Sequence, residues 1–411
     1  MNLTGSEIFC EVLVEQGVDT LFGYPGGAVL NLYDALYKYQ DRIHHIITAH
    51  EQGAAHAADG YARATGRTGV VLATSGPGAT NLVTGIATAY MDSVPMVAIT
   101  GNVPNSLMGQ DSFQEVYIAG ITMPITKHNF VVDKVENLAD ILREAFTIAQ
   151  TGRKGPVLVD IPKDVTAASC AFTPAAPARD EYRTVIDGAA IDRAVEIINA
   201  AQRPVVYYGG GVVASGAGEH LSRLMHKACI PGAYSLMAAG VVSGEDPLCL
   251  GMVGMHGCRT TNVAFDQADV MIAVGTRFSD RVALAPDEFG RRAKLIQIDI
   301  DPSEVNKNVT VDVSLIGDVK DIIMALLPKI NTAVHQPWLD TITQLKKEDY
   351  YPANCDNCLK PHHVIRKICE KAGDDVIVVT DVGQHQMWAA QYVRHQAAPL
   401  HHQRRAGHHG L

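Results

Sequence analysis

An acidic residue, Glu51, stands where a short apolar run gives way to an alanine-rich segment. Ile46 and Ile47 precede it, and residues 48–66 have the composition of a helix that Gly66 would end. A strand that leads into a helix places Glu51 in the first helical turn. There a carboxylate either balances the helix dipole, worth about 0.3–1 kcal/mol, or serves proton transfer. The local pattern favours the role in balancing the helix dipole. Whether Glu51 instead serves proton transfer depends on the residues in the rest of the chain.

Two turns rich in glycine and proline could form a ligand cleft beside Glu51. Pro25, Gly26 and Gly27 follow a short apolar strand, and residues 75–81 (Ser-Gly-Pro-Gly-Ala-Thr-Asn) follow a fully apolar one. Continuous apolar strands between helices predict an α/β fold with a parallel sheet covered on both faces. Ligands of such sheets bind at the carboxyl ends of the strands, where these turns and Glu51 fall.

Several other kinds of site are argued against by spacing and composition. His50 and Glu51 begin like a zinc-protease motif, but position 54 is alanine and His56 is off the required spacing. Cys355 and Cys358 form a single CxxC without a second pair, which argues against zinc. The net charge of −10 argues against a nucleic-acid partner. With no apolar run near the ~20 residues of a membrane span and no targeting segment at the N-terminus, we expect a cytoplasmic protein without a membrane partner.

A second α/β region has the pattern of a dinucleotide site. A strand at residues 204–208 runs into a turn of three glycines, 209–211, and then a helix, an arrangement that presents backbone N–H groups to phosphate. Glycine turns after buried strands serve only the structure about as often as they bind phosphate. Arg277 and Arg281 follow a later strand, and Asp299 ends another. An acid on a ribose or adenine and arginines on a pyrophosphate would suit a dinucleotide, whereas ordinary surface ion pairs are the alternative for the arginines.

The organisation of the chain follows from these patterns. A third strand is predicted at residues 376–381, and residues 397–411 show no apolar period. The predicted parts are a first domain at 1–165, a Pro- and Ala-rich linker at 166–184, a central domain at 185–345, an incomplete third domain at 359–392 and a tail at 393–411.

Six motifs in order carry a resemblance to a known family. They are residues 23–28 (Gly-Tyr-Pro-Gly-Gly-Ala), 50–52 (His-Glu-Gln), 74–81, 113–115 (Phe-Gln-Glu), 155–164 (Gly-Pro-Val-Leu-Val-Asp-Ile-Pro-Lys-Asp) and 383–388 (Gly-Gln-His-Gln-Met-Trp). Over residues 1–392 the chain resembles the catalytic (large) subunits of the acetolactate synthase, or acetohydroxyacid synthase, family of thiamine diphosphate enzymes. The resemblance implies a pyrimidine-binding domain, a central FAD-binding domain and the start of a diphosphate-binding domain.

The same resemblance implies an activity and partners. Family members decarboxylate pyruvate and condense the two-carbon unit with a second 2-keto acid, pyruvate or 2-oxobutanoate, in the biosynthesis of isoleucine, valine and leucine. The implied cofactors are thiamine diphosphate, Mg2+ and FAD. The implied assembly is a homodimer or tetramer with active sites between subunits, and a small regulatory subunit is a further implied partner.

The resemblance also implies a role for each matching residue. Glu51 would hydrogen-bond a ring nitrogen of the aminopyrimidine and favour the tautomer that takes the C2 proton. Gln114 would assist near the reacting centre, while Lys163 and Phe113 would line the substrate entrance. The implied thiamine diphosphate contacts are Pro25, Gly26, Gly27, Thr74, Pro77, Asn81, Val382, Gly383, Gln384 and His385. The implied FAD contacts are Arg153, Gly209, Gly210, Gly211, Met255, His256, Gly257, Arg277, Arg281, Asp299 and Asp318.

The chain departs from the family after residue 392. The Gly-Asp-Gly and Asn-Asn motifs that would hold Mg2+ and the diphosphate do not occur, so no metal ligand is assigned and these ligands are expected in a missing C-terminal part. Codons can be chosen for the tail such that a one-base shift restores the expected family sequence, which predicts a frameshift, genuine or from sequencing, near residues 393–397. We therefore expect this copy to be inactive and poorly soluble. Another thiamine diphosphate-dependent carboligase or oxidase, and a non-catalytic FAD-binding subunit-pairing fragment, stay open as alternatives.

Overall fold

Two α/β units make up the chain. The computed structural model describes residues 1–177, 182–286, 288–349, 359–373 and 377–393. The first unit is Met1–Tyr182, and the second begins at Arg183. Each unit holds a six-stranded parallel sheet with apolar side chains buried against helices on both faces, which confirms the predicted α/β class. None of the helices in the described part of the chain combines the length and apolar character that a membrane crossing requires.

The first unit alternates strands and helices along the chain. Its elements are β1 (Asn2–Thr4), α1 (Gly5–Glu15), β2 (Thr20–Gly23), α2 (Leu30–Lys38), β3 (His44–Ile47), α3 (Glu51–Thr65), β4 (Gly69–Ala73), α4 (Pro77–Asn81), α5 (Val83–Met91), β5 (Met96–Asn102), α6 (Ile118–Thr122), β6 (His128–Val131), α7 (Val135–Gln150), β7 (Pro156–Pro162), α8 (Lys163–Ala167) and β8 (Ser169–Ala171). The sheet has the order β3-β2-β4-β5-β7-β6, and all its pairs are parallel. The chain moves outward in opposite directions from β2 and β4, so a topological switch point lies between these two strands.

The first unit extends further than the sequence predicted. Residues 169–171, placed in the linker at 166–184, form β8 and pair antiparallel with β1 in register from Asn2 to Thr4. Phe172 then packs into the core at 3% exposure, and its N–H donates to the carbonyl of Met1 at 2.7 Å. The Pro- and Ala-rich composition concealed a strand because its partner lies at the other end of the unit.

The second unit has a sheet of a different order. Its elements are α9 (Gly188–Ala200), β9 (Pro204–Tyr208), α10 (Gly210–Ala214), α11 (Gly218–Ala228), β10 (Gly232–Tyr234), β11 (Cys249–Met252), α12 (Arg259–Gln267), β12 (Val270–Val274), β13 (Lys294–Asp299), β14 (Val313–Ile316), α13 (Val319–Leu326), α14 (Gln336–Glu348), α15 (Pro361–Ala372) and α16 (Gln384–Tyr392). The order is β11-β10-β9-β12-β13-β14, again with parallel pairs. Counted in chain order this is 3-2-1-4-5-6, the order of dinucleotide-binding sheets.

The third strand predicted at residues 376–381 is wrong for its described part. Residues 377–381 form no strand, and Ile377 and Val379 are 49% and 70% exposed. No neighbouring strand pairs with them in the described part of the chain, so the alternating apolar pattern has nothing to bury it. The following helix α16 instead packs on the second unit, where Ala390 is buried and its carbonyl accepts a hydrogen bond from the Tyr234 hydroxyl at 3.3 Å. Cys355, Cys358 and the tail from residue 394 lie outside the described residues.

Candidate active site

Glu51 is the first residue of α3, as the sequence predicted. His50 caps the helix, since its Nδ1 accepts a hydrogen bond from the backbone N–H of Gln52 at 3.1 Å. Gly66 ends the helix in the left-handed conformation, with a φ of 71°, which confirms its role as the stop signal. The turn from β3 into α3 therefore fixes the Glu51 carboxyl at the carboxyl edge of the sheet, where it is 8% exposed.

The two oxygens of the Glu51 carboxylate have different surroundings. Oε2 accepts a hydrogen bond from Nδ2 of Asn81 at 2.9 Å. Oε1 makes no hydrogen bond with any residue that the structure describes. A Cβ on Gly78 would stand 3.2 Å from Oε1 and 2.7 Å from Cγ2 of Thr74, so the glycine leaves this oxygen uncovered. One oxygen is thus fixed by the protein, and the other can accept a hydrogen bond from a ligand.

The turn at Pro25, Gly26 and Gly27 meets the Thr74 turn at the switch point of the sheet. The backbone N–H of Ala28 donates to Oγ1 of Thr74 at 3.2 Å, and a Cβ on Gly26 would stand 2.5 Å from Cβ of Thr74. A Cβ on Gly27 would meet no heavy atom within 4 Å. Gly78 and Asn81 therefore lie against Glu51, and Thr74 links them to the turn at Gly26.

A loop at residues 103–117 brings Gln114 to the same cluster. Gly76 has a φ of 57°, and a Cβ on it would stand 2.7 Å from the carbonyl oxygen of Gln114. Phe113, next to it, is 87% exposed. Lys163 begins α8 at the carboxyl end of β7 and is half-buried. The structure brings Gln114 to the Gly76 turn, while Phe113 lies in solvent in this single chain.

The charge of Glu51 reaches Tyr33, a residue that the sequence analysis missed. Its hydroxyl lies 3.3 Å from Nε2 of His45, and the two rings pack edge to face. Burial, and then the charge of Glu51, raise the pKa of Tyr33; burial lowers the pKa of His45. Tyr33 lies on α2 and His45 on β3, and no sequence motif links them, so no local signal could have found the pair.

Asp160 is a second buried carboxyl of the first sheet that the sequence did not single out. It is 2% exposed and accepts hydrogen bonds from Oγ1 of Thr100 at 2.6 Å and Nδ2 of Asn102 at 2.5 Å. Burial raises the pKa of Asp160 to about 6, against the two hydrogen bonds, which lower it. These three side chains connect β5 to β7 by hydrogen bonds, which gives Asp160 a structural role that requires no ligand.

No group of three or more His, Cys, Asp or Glu side chains is arranged to hold a metal ion within the residues that the structure describes.

The residues proposed for FAD in the second unit follow the carboxyl ends of its strands. Gly209–Gly211 follow β9, Met255–Gly257 follow β11, Arg277 and Arg281 follow β12, Asp299 ends β13, and Asp318 follows β14. Parallel strands bring all these positions to one edge of the sheet. Arg153 belongs to the first unit, where its Nε donates to Oγ of Ser93 at 2.9 Å.

The glycine turn after β9 is more closed than the sequence predicted. The N–H of Gly209 donates to the carbonyl of Val274, and that of Gly211 donates to the carbonyl of Gly275, each at 3.0 Å. A Cβ on Gly211 would stand 2.6 Å from Cα of Gly275. These two amides therefore serve the packing of two loops, while the assignment of Gly209 and Gly211 to FAD stays a prediction. Gly210, where a Cβ would meet only Cβ of Met237 at 3.4 Å, stays open.

Hydrogen bonds divide several of the remaining FAD candidates into two groups. The N–H of Met255 donates to the carbonyl of Arg281 at 2.8 Å, and Nε2 of Gln391 on α16 donates to the carbonyl of His256 at 2.7 Å. The N–H of Gly317 donates to the carbonyl of Asp299 at 2.9 Å. Asp318 caps α13, and burial raises its pKa.

The residues proposed for the diphosphate side stand at the start of α16. Gly383 precedes the helix, and Gln384 and His385 begin it. Val382 is 52% exposed, and its N–H donates to the side chain of Asp381 at 2.7 Å. All four positions belong to the second unit.

Comparison with known proteins gives both units a counterpart. Residues 3–121 match the family model "Thiamine pyrophosphate enzyme, N-terminal TPP binding domain", and residues 191–326 match "Thiamine pyrophosphate enzyme, central domain". Similar curated proteins include a probable acetolactate synthase large subunit of Methanococcus aeolicus, 43% identical over 418 residues, and an acetolactate synthase of Mycobacterium bovis, 46% identical over 409 residues. An acetolactate synthase of Arthrospira platensis is 44% identical over 414 residues. These alignments cover 96% of this chain and 69%, 66% and 71% of the three relatives, so the chain spans about two thirds of their length.

Proposed function

Because the chain belongs to the acetolactate synthase large-subunit family of thiamine pyrophosphate enzymes, we propose that its first unit holds the aminopyrimidine of thiamine diphosphate. The observation that carries this proposal is the buried Glu51 carboxylate, with Oε2 fixed by Asn81 and Oε1 left open beside Gly78. A carboxylate in this state can accept a hydrogen bond from a protonated ring nitrogen without reorganising. Nothing lies within 4 Å of the position that a Cβ on Gly27 would take, so the turn after β2 also leaves space for a ligand.

The reaction we propose is acetolactate synthesis. Bound thiamine diphosphate would supply the carbanion and the electron sink for decarboxylation of pyruvate and for transfer of the two-carbon unit. Glu51 would accept a hydrogen bond from the protonated ring nitrogen of the bound cofactor, and the Asn81 amide holds the carboxylate in place. The position of Glu51 at 8% exposure limits the water that could compete for it.

Substrates and partners follow from the family. The second 2-keto acid is pyruvate or 2-oxobutanoate, with Gln114 near the reacting centre and Lys163 and Phe113 at the entrance. Phe113, exposed at 87% in the single chain, would be covered if a second copy completes the site, as in a homodimer or tetramer. A small regulatory subunit, a cytoplasmic location and a role in branched-chain amino acid biosynthesis belong to the same proposal.

The second unit is proposed to bind FAD. Its strand order supports a dinucleotide, since the switch point between β9 and β12 lies where Gly210 and Arg277 stand. Gly210 would approach the pyrophosphate, and Asp299 and Asp318 offer acceptors for hydroxyl or amino groups. Visible flavin absorbance that survives desalting, and that falls in Arg281→Gln, would support this proposal. Flavin retained by a chain without turnover would favour the subunit-pairing alternative.

The inactivity of this chain stays a prediction, because the motifs that the family resemblance assigns to Mg2+ and the diphosphate do not occur in its sequence. The test is calorimetry of the purified chain with thiamine diphosphate and Mg2+, followed by an assay for acetolactate from pyruvate. We expect binding through the pyrimidine side and no acetolactate. Acetolactate formed by the 411-residue chain would contradict the predicted inactivity and support the family reaction. A different carboligation or oxidation product would favour the other thiamine diphosphate enzymes, and no binding at all would contradict the proposed site.

A further inference from the structure

The loop at residues 103–117 is held in a conformation that its sequence does not favour. Asp111 and Gln114 have φ values of 53° and 58°, in the left-handed region. Each such position outside glycine costs roughly 1 kcal/mol or more and persists only where the surroundings impose it. Phe113, which lies between them, is 87% exposed, so packing of its side chain does not hold the loop in this conformation.

Glu115 holds the loop in this conformation by accepting hydrogen bonds from backbone N–H groups. Its Oε1 accepts a short hydrogen bond from the N–H of Gly109, and its Oε2 accepts one from the N–H of Ser112 at 2.9 Å. The hydroxyl of Ser112 in turn donates to the carbonyl of Leu107 at 2.9 Å. The amides, Gly109 first and Ser112 next, lower the pKa of Glu115, so the carboxylate is ionised at neutral pH. Hydrogen bonds to an ionised acceptor are about twice as strong as neutral ones.

The loop closed in this way reaches the turn beside Glu51. A Cβ on Gly76 would stand 2.7 Å from the carbonyl oxygen and 3.0 Å from Cα of Gln114, so the two turns are in close contact. Gly76 stands two residues before Gly78, which leaves Oε1 of Glu51 uncovered. The conformation at Gln114 thus bears on the residues that shape the candidate site.

We propose that Glu115 is a positioning residue, whose carboxylate closes the loop and thereby holds Gln114 on the Gly76 turn and Phe113 at the tip. The proposal rests on the proposed function in one respect: contact of Phe113 and Gln114 with a 2-keto acid is part of that function. The Glu115 carboxylate accepts its hydrogen bonds from backbone amides of its own loop. It therefore acts through its two neighbours.

Amide hydrogen exchange on the full chain tests the closure without any ligand. In Glu115→Gln, peptides that span residues 105–117 should exchange at least about tenfold faster, and those of residues 74–81 should follow, because a charged acceptor of two amides is lost. The matched control is Asp111→Asn, which removes the same charge from the same loop but from a side chain without a hydrogen bond among the described residues. Asparagine also tolerates the left-handed conformation. The thermal midpoint should be unchanged in both variants, because the loop is exposed.

Pyruvate, added with thiamine diphosphate and Mg2+, separates positioning from mere loop closure. We expect it to slow exchange in the loop of the wild type and of Asp111→Asn, and to require about tenfold higher concentration in Glu115→Gln. Equal exchange of the loop in Glu115→Gln and wild type would overturn the closure. A faster loop with an unchanged pyruvate response would overturn the positioning role alone. A protected loop with no pyruvate response in any chain would overturn the positioning role together with the proposed function.

Discussion

Gly78 in the first unit and Gly211 in the second both follow a buried strand of a parallel sheet, yet they meet different neighbours. A Cβ on Gly78 would stand 3.2 Å from Oε1 of Glu51, whereas a Cβ on Gly211 would stand 2.6 Å from Cα of Gly275. The N–H of Gly211 is also taken by the carbonyl of Gly275. The first glycine uncovers a carboxylate, and the second lets two loops pack.

The difference teaches how far a glycine motif can be interpreted. A strand, a glycine turn and a helix suit either a ligand or a close approach of the chain to itself. Which use applies depends on a residue far along the sequence, Gly275 for one unit and Glu51 for the other. The site in the first unit therefore depends on an open carboxylate, while dinucleotide binding in the second depends on strand order and on Gly210.

The largest expected effect contrasts the buried polar residues of the two sheets. Asp160 in the first sheet has a pKa raised to about 6 from 3.8, whereas Gln297, fully buried in the second, is neutral. The Asp160 carboxyl binds a proton more readily in the folded first unit than in the unfolded chain. The free energy of unfolding should therefore fall by ~3 kcal/mol as the pH rises from 3.8 to about 6. Exchange of amides in β5 and β7, followed against pH, measures it.

Asp160→Asn is the matched variant for this slope. The amide can accept from Asn102 and donate to the Thr100 hydroxyl, so the fold should persist while the pH dependence of the first unit disappears. Tryptophan fluorescence, which comes from Trp338 and Trp388 of the second unit, should show no corresponding slope in either chain. A slope of equal size in Asp160→Asn would contradict the assignment.

A smaller effect is expected from alanine in the glycine turn of the second unit. Gly211→Ala should lower the free energy of unfolding by about 2 kcal/mol, because backbone of Gly275 stands in the way. Gly210→Ala, which meets only a side chain at 3.4 Å, should lie within about 0.5 kcal/mol of the wild type. Urea unfolding monitored by tryptophan fluorescence of the second unit compares them, and equal losses would show that the two positions do not differ as described.

The smallest effect on stability is expected from glycine-to-alanine substitutions in the first unit. Gly78→Ala should cost about 1 kcal/mol, since the new Cβ meets the end of the Thr74 side chain and the Glu51 carboxylate. Gly27→Ala should be close to neutral, because nothing lies within 4 Å. Thermal unfolding measures both, and a larger loss in Gly27→Ala would refute the open space beside the site.

Much of this architecture could be predicted from local sequence. The helix that begins at Glu51 and ends at Gly66, the buried parallel strands and the glycine turns all follow from short patterns, and the structure confirms them. The resemblance to the acetolactate synthase family was carried by six short motifs, and the comparisons confirm it.

The parts that escaped prediction depend on contacts between distant residues. Tyr33 and His45 meet across α2 and β3, and Glu115 acts through amides whose loop closure no propensity reveals. Strand β8 was missed because it pairs with the N-terminus. The strand predicted at 376–381 failed for the converse reason, since a strong apolar pattern found no neighbouring strand in the described chain.

The measurement that tests the central claim most directly is the affinity of the chain for thiamine, titrated by NMR, in Glu51→Gln and in Glu136→Gln. Glu136 is the matched control, since it is also an acid in the first turn of a helix but is exposed on α7. Loss of a charged hydrogen bond should weaken thiamine binding at least about tenfold in Glu51→Gln and leave Glu136→Gln at the wild-type value. Equal affinity in all three chains, or no binding by the wild type, would contradict the assignment of Glu51 to the aminopyrimidine.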